Sequence, residues 1–586
     1  MEVNIRKEYP RPQFERKEWL NLNGEWDFQF DQTNVGEEEQ WYKQTKLNQK
    51  IRVPFTYETK ASGIHEETFC PYIWYQRLVT VPEEYSHKKT ILHFQAADYV
   101  TKLWVNGIFA GQHKGGYTAF SFDITNYINA GKENNVVVKI EDSHNEHQPR
   151  GKQRWIDKNF GCWYVQSTGI WQTVWLEFLN QTSIHSVKIT PDLDTDSVEF
   201  DYKLTNVQQD QKELSLRTSI TFDGQPVKEF SLKADRENAR MKVNLVSEIH
   251  EWKVMHWSPQ HPHLYDVEFT LYHGEKELDR VQSYFGMRKV SIKNGNILLN
   301  NVPIYQKLLL DQGYWEDSHL TPPSEEAIIL DIEKTFEMGF NGVRKHMKVE
   351  DQRFLYWADK KGLLVWSEMA AAYQFSDEAI QNFTEEWMTV VQQHYNHPSI
   401  ITWTPFNESW GIKNIYTNEQ QQKFTEGIYH LTKSMDPMRP VIVNDGWEHT
   451  VSDIITLHDY VEYGDEFLSR YKEKEKVVDN KIAFNNFKHA MAQGYEYKGQ
   501  PIIISEYGGI AFNSEEGWGY GNQVKDEQEF LDRYESITKA IMSLDYICGF
   551  CYTQITDVQQ EVNGLLTESR KPKVNLSKIK QINDNQ

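Results

Sequence analysis

Two stretches about 100 residues apart place glutamates where bond-breaking chemistry could use them: Ile400-Ile401-Thr402-Trp403-Thr404-Pro405-Phe406-Asn407-Glu408-Ser409-Trp410-Gly411 and Pro501-Ile502-Ile503-Ile504-Ser505-Glu506-Tyr507-Gly508-Gly509. In each, an apolar, β-rich run ends on a carboxylate, which is how a barrel strand carries a side chain to its C-terminal rim. Two carboxylates on one rim are what glycosidic bond cleavage requires. One protonates the leaving oxygen while the other attacks or stabilises an oxocarbenium-like carbon. A single glutamate at a strand end is more often a surface or ion-paired residue, so the pairing carries the inference.

The elements that must position this pair can be read along the chain. Residues 1–180 are many short strands separated by turns, with alternation in Gly24-Glu25-Trp26-Asp27-Phe28-Gln29-Phe30 and a hairpin signal at Asn106-Gly107. They predict an all-β sandwich. Residues 181–285 continue in longer, more charged strands. Over 286–586 strand-like runs alternate with amphipathic stretches such as Ser324 to Met338, which predicts βα units around a parallel sheet. Strand ends fall at Asp311, Arg344, Trp366, Glu408, Asn444, Tyr460 and Glu506, and an eighth strand fits Cys548 to Gln554. Eight strands over about 300 residues is the size of a (β/α)8 TIM barrel. Cys548-Gly549-Phe550-Cys551 has redox or zinc spacing but lies inside an apolar strand, where a structural role is expected.

The order Asn-Glu on an earlier strand and Ser-Glu-Tyr-Gly on a later one resembles glycoside hydrolase family 2, the β-galactosidases and β-glucuronidases. Asn396-His397-Pro398-Ser399-Ile400-Ile401-Thr402-Trp403 leading into Asn407-Glu408 follows one family signature, with Thr404 where glycine or serine is usual. The resemblance implies an N-terminal jelly-roll β-sandwich that binds sugar (1–180), an immunoglobulin-like β-sandwich (181–285) and a catalytic barrel (286–586). It implies Glu408 as acid/base on the fourth strand and Glu506 as nucleophile on the seventh, in a retaining double displacement. The acid is then expected to carry its proton near neutral pH, through apolar neighbours such as Trp403 and Trp410 and repulsion from Glu506. Asn407 would donate to the sugar 2-hydroxyl, Tyr460 would orient Glu506, and Arg344 would support the nucleophile. A second signature is met only in part, because Arg344-Lys345-His346-Met347-Lys348 replaces the usual arginine, two small residues and His-Tyr-Pro. Lys345 and His346 are expected at the sugar, together with Asp311, His458 and Trp163. Trp163 belongs to the segment Trp155 to Gly169, a loop that family members send towards the barrel mouth.

Two absences bear on the substrate. The family's β-glucuronidases hold the uronate with Asn-x-Lys near the end of the barrel, where this chain has Asn563-Gly564-Leu565. Its large β-galactosidases carry acidic and histidine metal ligands after the third strand, where Trp366-Ser367-Glu368-Met369-Ala370-Ala371 offers one carboxylate. The expectation is an exo-β-glycosidase for a terminal neutral sugar, β-galactoside first, then β-galactofuranoside, β-glucuronide and β-mannoside, needing no metal or cofactor. The competing class is a carbohydrate-binding protein without turnover. Aromatics make up 13% of the chain, suited both to sugar faces and to sandwich cores. The net charge of −22 argues against nucleic acid and anionic membranes as partners. No apolar run approaches a spanning helix and Met1-Glu2-Val3-Asn4-Ile5-Arg6 is unlike a signal peptide, so the chain reads as cytoplasmic. Self-association into a homo-oligomer through the sandwich domains is left open.

Overall fold

The computed structural model describes residues 6–207, 213–485, 487–513 and 516–585. The first layer pair is an antiparallel sandwich. A six-stranded sheet contains Gly24–Phe30, Tyr72–Thr80, Glu133–Glu141 and Val100–Val105, and it faces a four-stranded sheet containing Lys89–Phe94 and Val174–Leu179. Alternation puts Trp26, Phe28, Tyr75, Leu92, Phe94, Leu103 and Val138 into one core. Asn106 (φ 51°) and Gly107 (φ 79°) both adopt the left-handed conformation that a two-residue hairpin demands. A second sandwich, with sheets of three and four strands between Ser183 and Phe285, packs Phe200, Tyr202, Leu216 and Phe269.

Then the parallel sheet begins. Barrel strands are β1 (Gln306–Asp311), β2 (Gly342–Lys345), β3 (Leu364–Glu368), β4 (Ile400–Thr404), β5 (Asn444–Asp445), β6 (Ile455–His458), β7 (Ile502–Gly508) and β8 (Ile547–Thr553). Seven form one sheet in the order β4-β3-β2-β1-β8-β7-β6. Short β5 fills the remaining gap: it pairs in parallel with Phe406–Asn407, just beyond β4, and the His458 N–H of β6 donates to the Gly446 carbonyl just after β5. Helices α1 (Glu325–Glu337), α2 (Gln352–Lys361), α3 (Asp377–His394) and α4 (Glu419–Met435) follow the first four strands. Ser324 caps α1 by accepting from the Ala327 N–H, as its place before an amphipathic run requires.

Strand alternation divides the barrel into two cores. Leu308, Leu310, Leu364, Trp366, Ile401, Ile503 and Cys551 fill the inside, floored by Val290, Ile297 and Leu299 of the hairpin that enters the domain. Leu309, Val343, Val365, Trp403, Leu457 and Phe550 face the helices. Cys548 and Cys551 are free and buried within the inner core. Asn396-His397-Pro398 serves as a joint: Asn396 bonds the Ile189 N–H and Val187 carbonyl of the middle sandwich, both at 2.8 Å. Asp359 gathers His397 (2.6 Å), the Ser399 N–H (2.9 Å) and the Tyr284 hydroxyl (2.8 Å), so this stretch locks β4 to its neighbours.

Candidate active site

Both glutamates reach the rim through local departures from regular strand. Glu408 and Ser409 are left-handed (φ 51° and 59°), a conformation costing non-glycine residues roughly 1–3 kcal/mol each. The Glu408 N–H donates to the Asp445 carbonyl (2.9 Å) and the Ser409 N–H to Asn444 Oδ1 (2.9 Å), which hold the bend. Glu506 depends on a register shift between β6 and β7, where Leu457 pairs with Ile504 but His458 pairs with Glu506. The skipped Ser505 re-aims the next side chain into the barrel, as bulges beside active sites do. One oxygen of each carboxylate and a His458 ring nitrogen lie within 4.8 Å of one another. Among the described residues these three are the group with metal-binding reach, yet their donor atoms are already engaged by protein partners.

Arg344 is the hub beneath them. Its guanidinium donates to Glu368 (2.7 Å), Glu506 (2.8 Å) and the Asn407 amide oxygen (2.6 Å), and it pairs with Asp445 at 2.7 Å. Burial would weaken its charge, but Asp445, Glu368 and Glu506 raise its pKa well above the ordinary value. The Tyr460 hydroxyl donates to the other Glu506 oxygen while its ring stacks on Tyr520 at 3.4 Å. Asn407, its oxygen fixed by Arg344, turns its amide nitrogen towards Met347 Sδ at 3.9 Å. His346 lies 3.0 Å from Arg344, and burial, then Lys152 and Arg344, push its pKa well below normal, so it is neutral.

His458 is fully buried between carboxylates: Nδ1 is 2.8 Å from Glu408 and 3.5 Å from Glu506, and Nε2 is 2.9 Å from Asp445. Burial alone would lower its pKa, but Glu506, Asp445 and the hydrogen bonds to Asp445 and Glu408 push it up to about 10. The expectation that Glu408 stands ready as a protonated acid is therefore corrected. Burial acts to raise its pKa, but the His458 hydrogen bond and charge, then Lys152 and Arg344, bring it below its ordinary value. Trp403, expected beside Glu408, lies instead on the outer face of β4, edge-on to Trp387 and donating to Asp436 (2.8 Å). His458, expected at the sugar, has both nitrogens on carboxylates.

Lys345 and Asp311 also differ from expectation. Lys345 alternates outward from Arg344, and its Nζ is 2.7 Å from Asp311 and 2.5 Å from Glu350, over the Phe354 ring. Lys348 joins this cluster, donating to the Gly313 and Leu320 carbonyls at 2.8 Å.

The jelly-roll loop does reach the mouth. The Arg150 and Gly151 N–H groups donate to the Ala371 carbonyl (2.9 and 3.1 Å), just beyond β3. Trp163 meets Trp410 edge-on at 5.2 Å, with Tyr373 and Trp155 completing an aromatic wall two residues from Glu408. Tyr164 is buried instead, its hydroxyl 2.5 Å from Glu561 and 2.7 Å from Gln312. Sequence reasoning missed Asp445, Lys152, Glu561 and Tyr520. Asp445 follows the strand end at Asn444 and could have been found there. Lys152 and Glu561 lie on loops without periodicity to mark them.

Comparison with known proteins agrees with this geometry. The chain matches the sugar binding domain of glycosyl hydrolases family 2 over residues 19–176, the family 2 domain model over 182–288, and the family 2 TIM barrel domain over 290–585. It belongs to glycosyl hydrolase family 2 and is a glycoside hydrolase. It is similar to a β-galactosidase of Thermoanaerobacter pseudethanolicus (28% identical; 86% of this chain, 68% of that one). It is also similar to a β-glucuronidase of Paenibacillus borealis (23% identical; 95% of each). Among solved structures, Ruminococcus gnavus β-glucuronidase shares the fold over 99% of both chains, at TM-score 0.79 and 19% identity.

Proposed function

We propose that this chain is a retaining exo-β-glycosidase acting on a terminal β-linked neutral sugar, a β-galactoside first, with Glu408 as acid/base and Glu506 as nucleophile. The observation that carries the reading is the approach of the two carboxylates within 4.8 Å. Retaining enzymes hold their carboxyl groups about 5–5.5 Å apart, whereas inverting enzymes need about 6.5–9.5 Å for an intervening water. Arg344 and Tyr460 occupy one oxygen each of Glu506 and fix its attack direction. Asn407 presents its amide beside them, in reach of a sugar 2-hydroxyl. The aromatic wall from the jelly-roll loop suits a pocket that admits a chain end and excludes water.

Preference for a neutral glycone rests on the end of the barrel. Leu565 is buried where the family's uronate lysine would stand, and Asn563 is spent on Glu561 (3.1 Å) and Gln554 (2.7 Å). A uronate there would meet a carboxyl group in place of a cation. One observation favours a second reading, β-glucuronide. Lys152 of the jelly-roll loop is 8% exposed, forms no ion pair among the described residues, and acts electrostatically on Glu408 and His346. A panel of chromogenic β-glycosides decides between them. Galactoside kcat/KM about 100-fold or more above glucuronide supports the first reading. The reverse order, abolished by Lys152→Met, supports the second.

A further inference from the structure

His458 is placed as no simple sugar ligand would be. Its ring sits at the end of β6 with a carboxylate on each nitrogen, and Nδ1 faces both Glu408 (2.8 Å) and Glu506 (3.5 Å). A neutral imidazole can donate through only one nitrogen, so two carboxylate contacts are both satisfied only by the imidazolium or by a proton on one carboxyl. The charged groups around it are Glu408, Glu506 and Asp445, with Arg344 bridging the last two, and the titratable His346 and His449, both with pKa values lowered by burial, lie further out. Trp447 packs edge-on against the ring at 5.5 Å, and the ring is fully buried.

We propose that His458 stores the proton used by Glu408 and releases it as the charge on Glu506 is consumed, making it a positioning and proton-holding residue that couples acid to nucleophile. The proposal rests on the assignment of Glu408 and Glu506 above. In the free enzyme the imidazolium is balanced by three carboxylates. As Glu506 bonds to the anomeric carbon it loses its negative charge, so the imidazolium loses a counter-charge 3.5 Å away and becomes more acidic. The proton then passes from Nδ1 to Glu408 and on to the leaving oxygen as the glycosidic bond breaks. His458 is left neutral, its Nε2–H on Asp445. In the second half-reaction water gives a proton through Glu408 back to Nδ1, its oxygen bonds the anomeric carbon, and Glu506 departs as carboxylate. One proton is borrowed and returned per turnover. Glu408 and His458 share one proton, so Glu408 can be unprotonated at rest and still serve as the acid.

The pH dependence of kcat/KM for His458→Asn tests this. In the wild type the alkaline limb reports loss of the shared proton, and His458 holds it up to about 10. In the variant Glu408 must hold its own proton, so the limb is expected to move down by about two units or more, towards the range of an ordinary buried carboxylic acid. Poor leaving groups should lose about 100-fold in kcat, and activated aryl glycosides about tenfold or less. An unmoved alkaline limb, or an equal loss for every leaving group, overturns the proposal and returns His458 to substrate binding. Should the variant fold poorly, nitrogen-15 NMR of the wild-type ring serves instead: a doubly protonated His458 at pH 7 is expected, and a neutral ring overturns it. Failure of the glutamate assignment is distinguished separately, because Glu408→Ala would then give no β-glycosyl azide.

Discussion

Arg344 and Lys345 are consecutive on β2, both buried and both facing carboxylates, and strand alternation sends them to opposite sides of the barrel wall. Outside, Lys345 and Lys348 meet Asp311 and Glu350, two cations against two anions. Inside, Arg344 and His458 meet Glu368, Asp445, Glu506 and Glu408, two cations against four carboxyl groups. The outer cluster is balanced and closed, as a structural tie between strand and loop should be. The inner one has a surplus of carboxyl groups around the place where an oxocarbenium-like carbon would develop positive charge, and preorganised charge of that sign stabilises such a transition state. Under the proposed assignment, the same chemical types in adjacent positions serve stability on one face and reaction on the other.

The largest effect expected on the inner side is from Glu506→Ala, which removes the covalent step and should lower kcat by about 10⁴-fold or more on every substrate, measured by initial rates. Its melting temperature should stay within a few degrees. Arg344→Met and Lys345→Met sharpen the contrast directly. Each strips a cation from buried carboxylates and should cost about 3–5 kcal/mol in urea unfolding. Only Arg344→Met should also lower kcat/KM of the folded enzyme, by about 100-fold. A comparable kinetic loss in Lys345→Met would break the division between the two faces.

Smaller effects follow at the edges of the inner cluster. Tyr460→Phe deletes one donor to Glu506, and a hydrogen bond to a charged group is worth about 1.5–3 kcal/mol, so kcat should fall about 10- to 100-fold. Trp163→Ala should lower kcat/KM several-fold through the lost aromatic wall while leaving the melting temperature within a few degrees. Unchanged kinetics with a large stability loss would make the wall mere packing. Smallest of all, EDTA should change activity by less than about twofold, since the protein's own cations already occupy the carboxylates that a metal would take.

How much of this was legible in the sequence follows the same division. Strand and helix periodicity located the barrel, and Asn407-Glu408 and Ser505-Glu506 announced themselves because an apolar run ends abruptly on a carboxylate. The inward or outward aim of neighbouring residues was not legible, because one position of register reverses it, and Lys345 and Asp311 went to the outer face for that reason. Trp403 was misplaced for the same cause. Asn396-His397-Pro398 led to Glu408 in sequence, but its atoms join domains. Lys152 and Glu561 come from loops separated by about 400 residues, and only the closed fold brings them near the glutamates. The state of the Glu408 proton depended on His458, whose contact with it bridges two strands and leaves no local pattern.

The central claim is that Glu506 attacks while Glu408 moves the proton. Glu408→Ala, assayed with azide on whichever aryl β-glycoside the wild type turns over, tests it most directly. Azide should restore turnover and enter the face that Glu408 vacates, giving a β-glycosyl azide identified by proton NMR. An α-glycosyl azide would reverse the two roles and contradict the account.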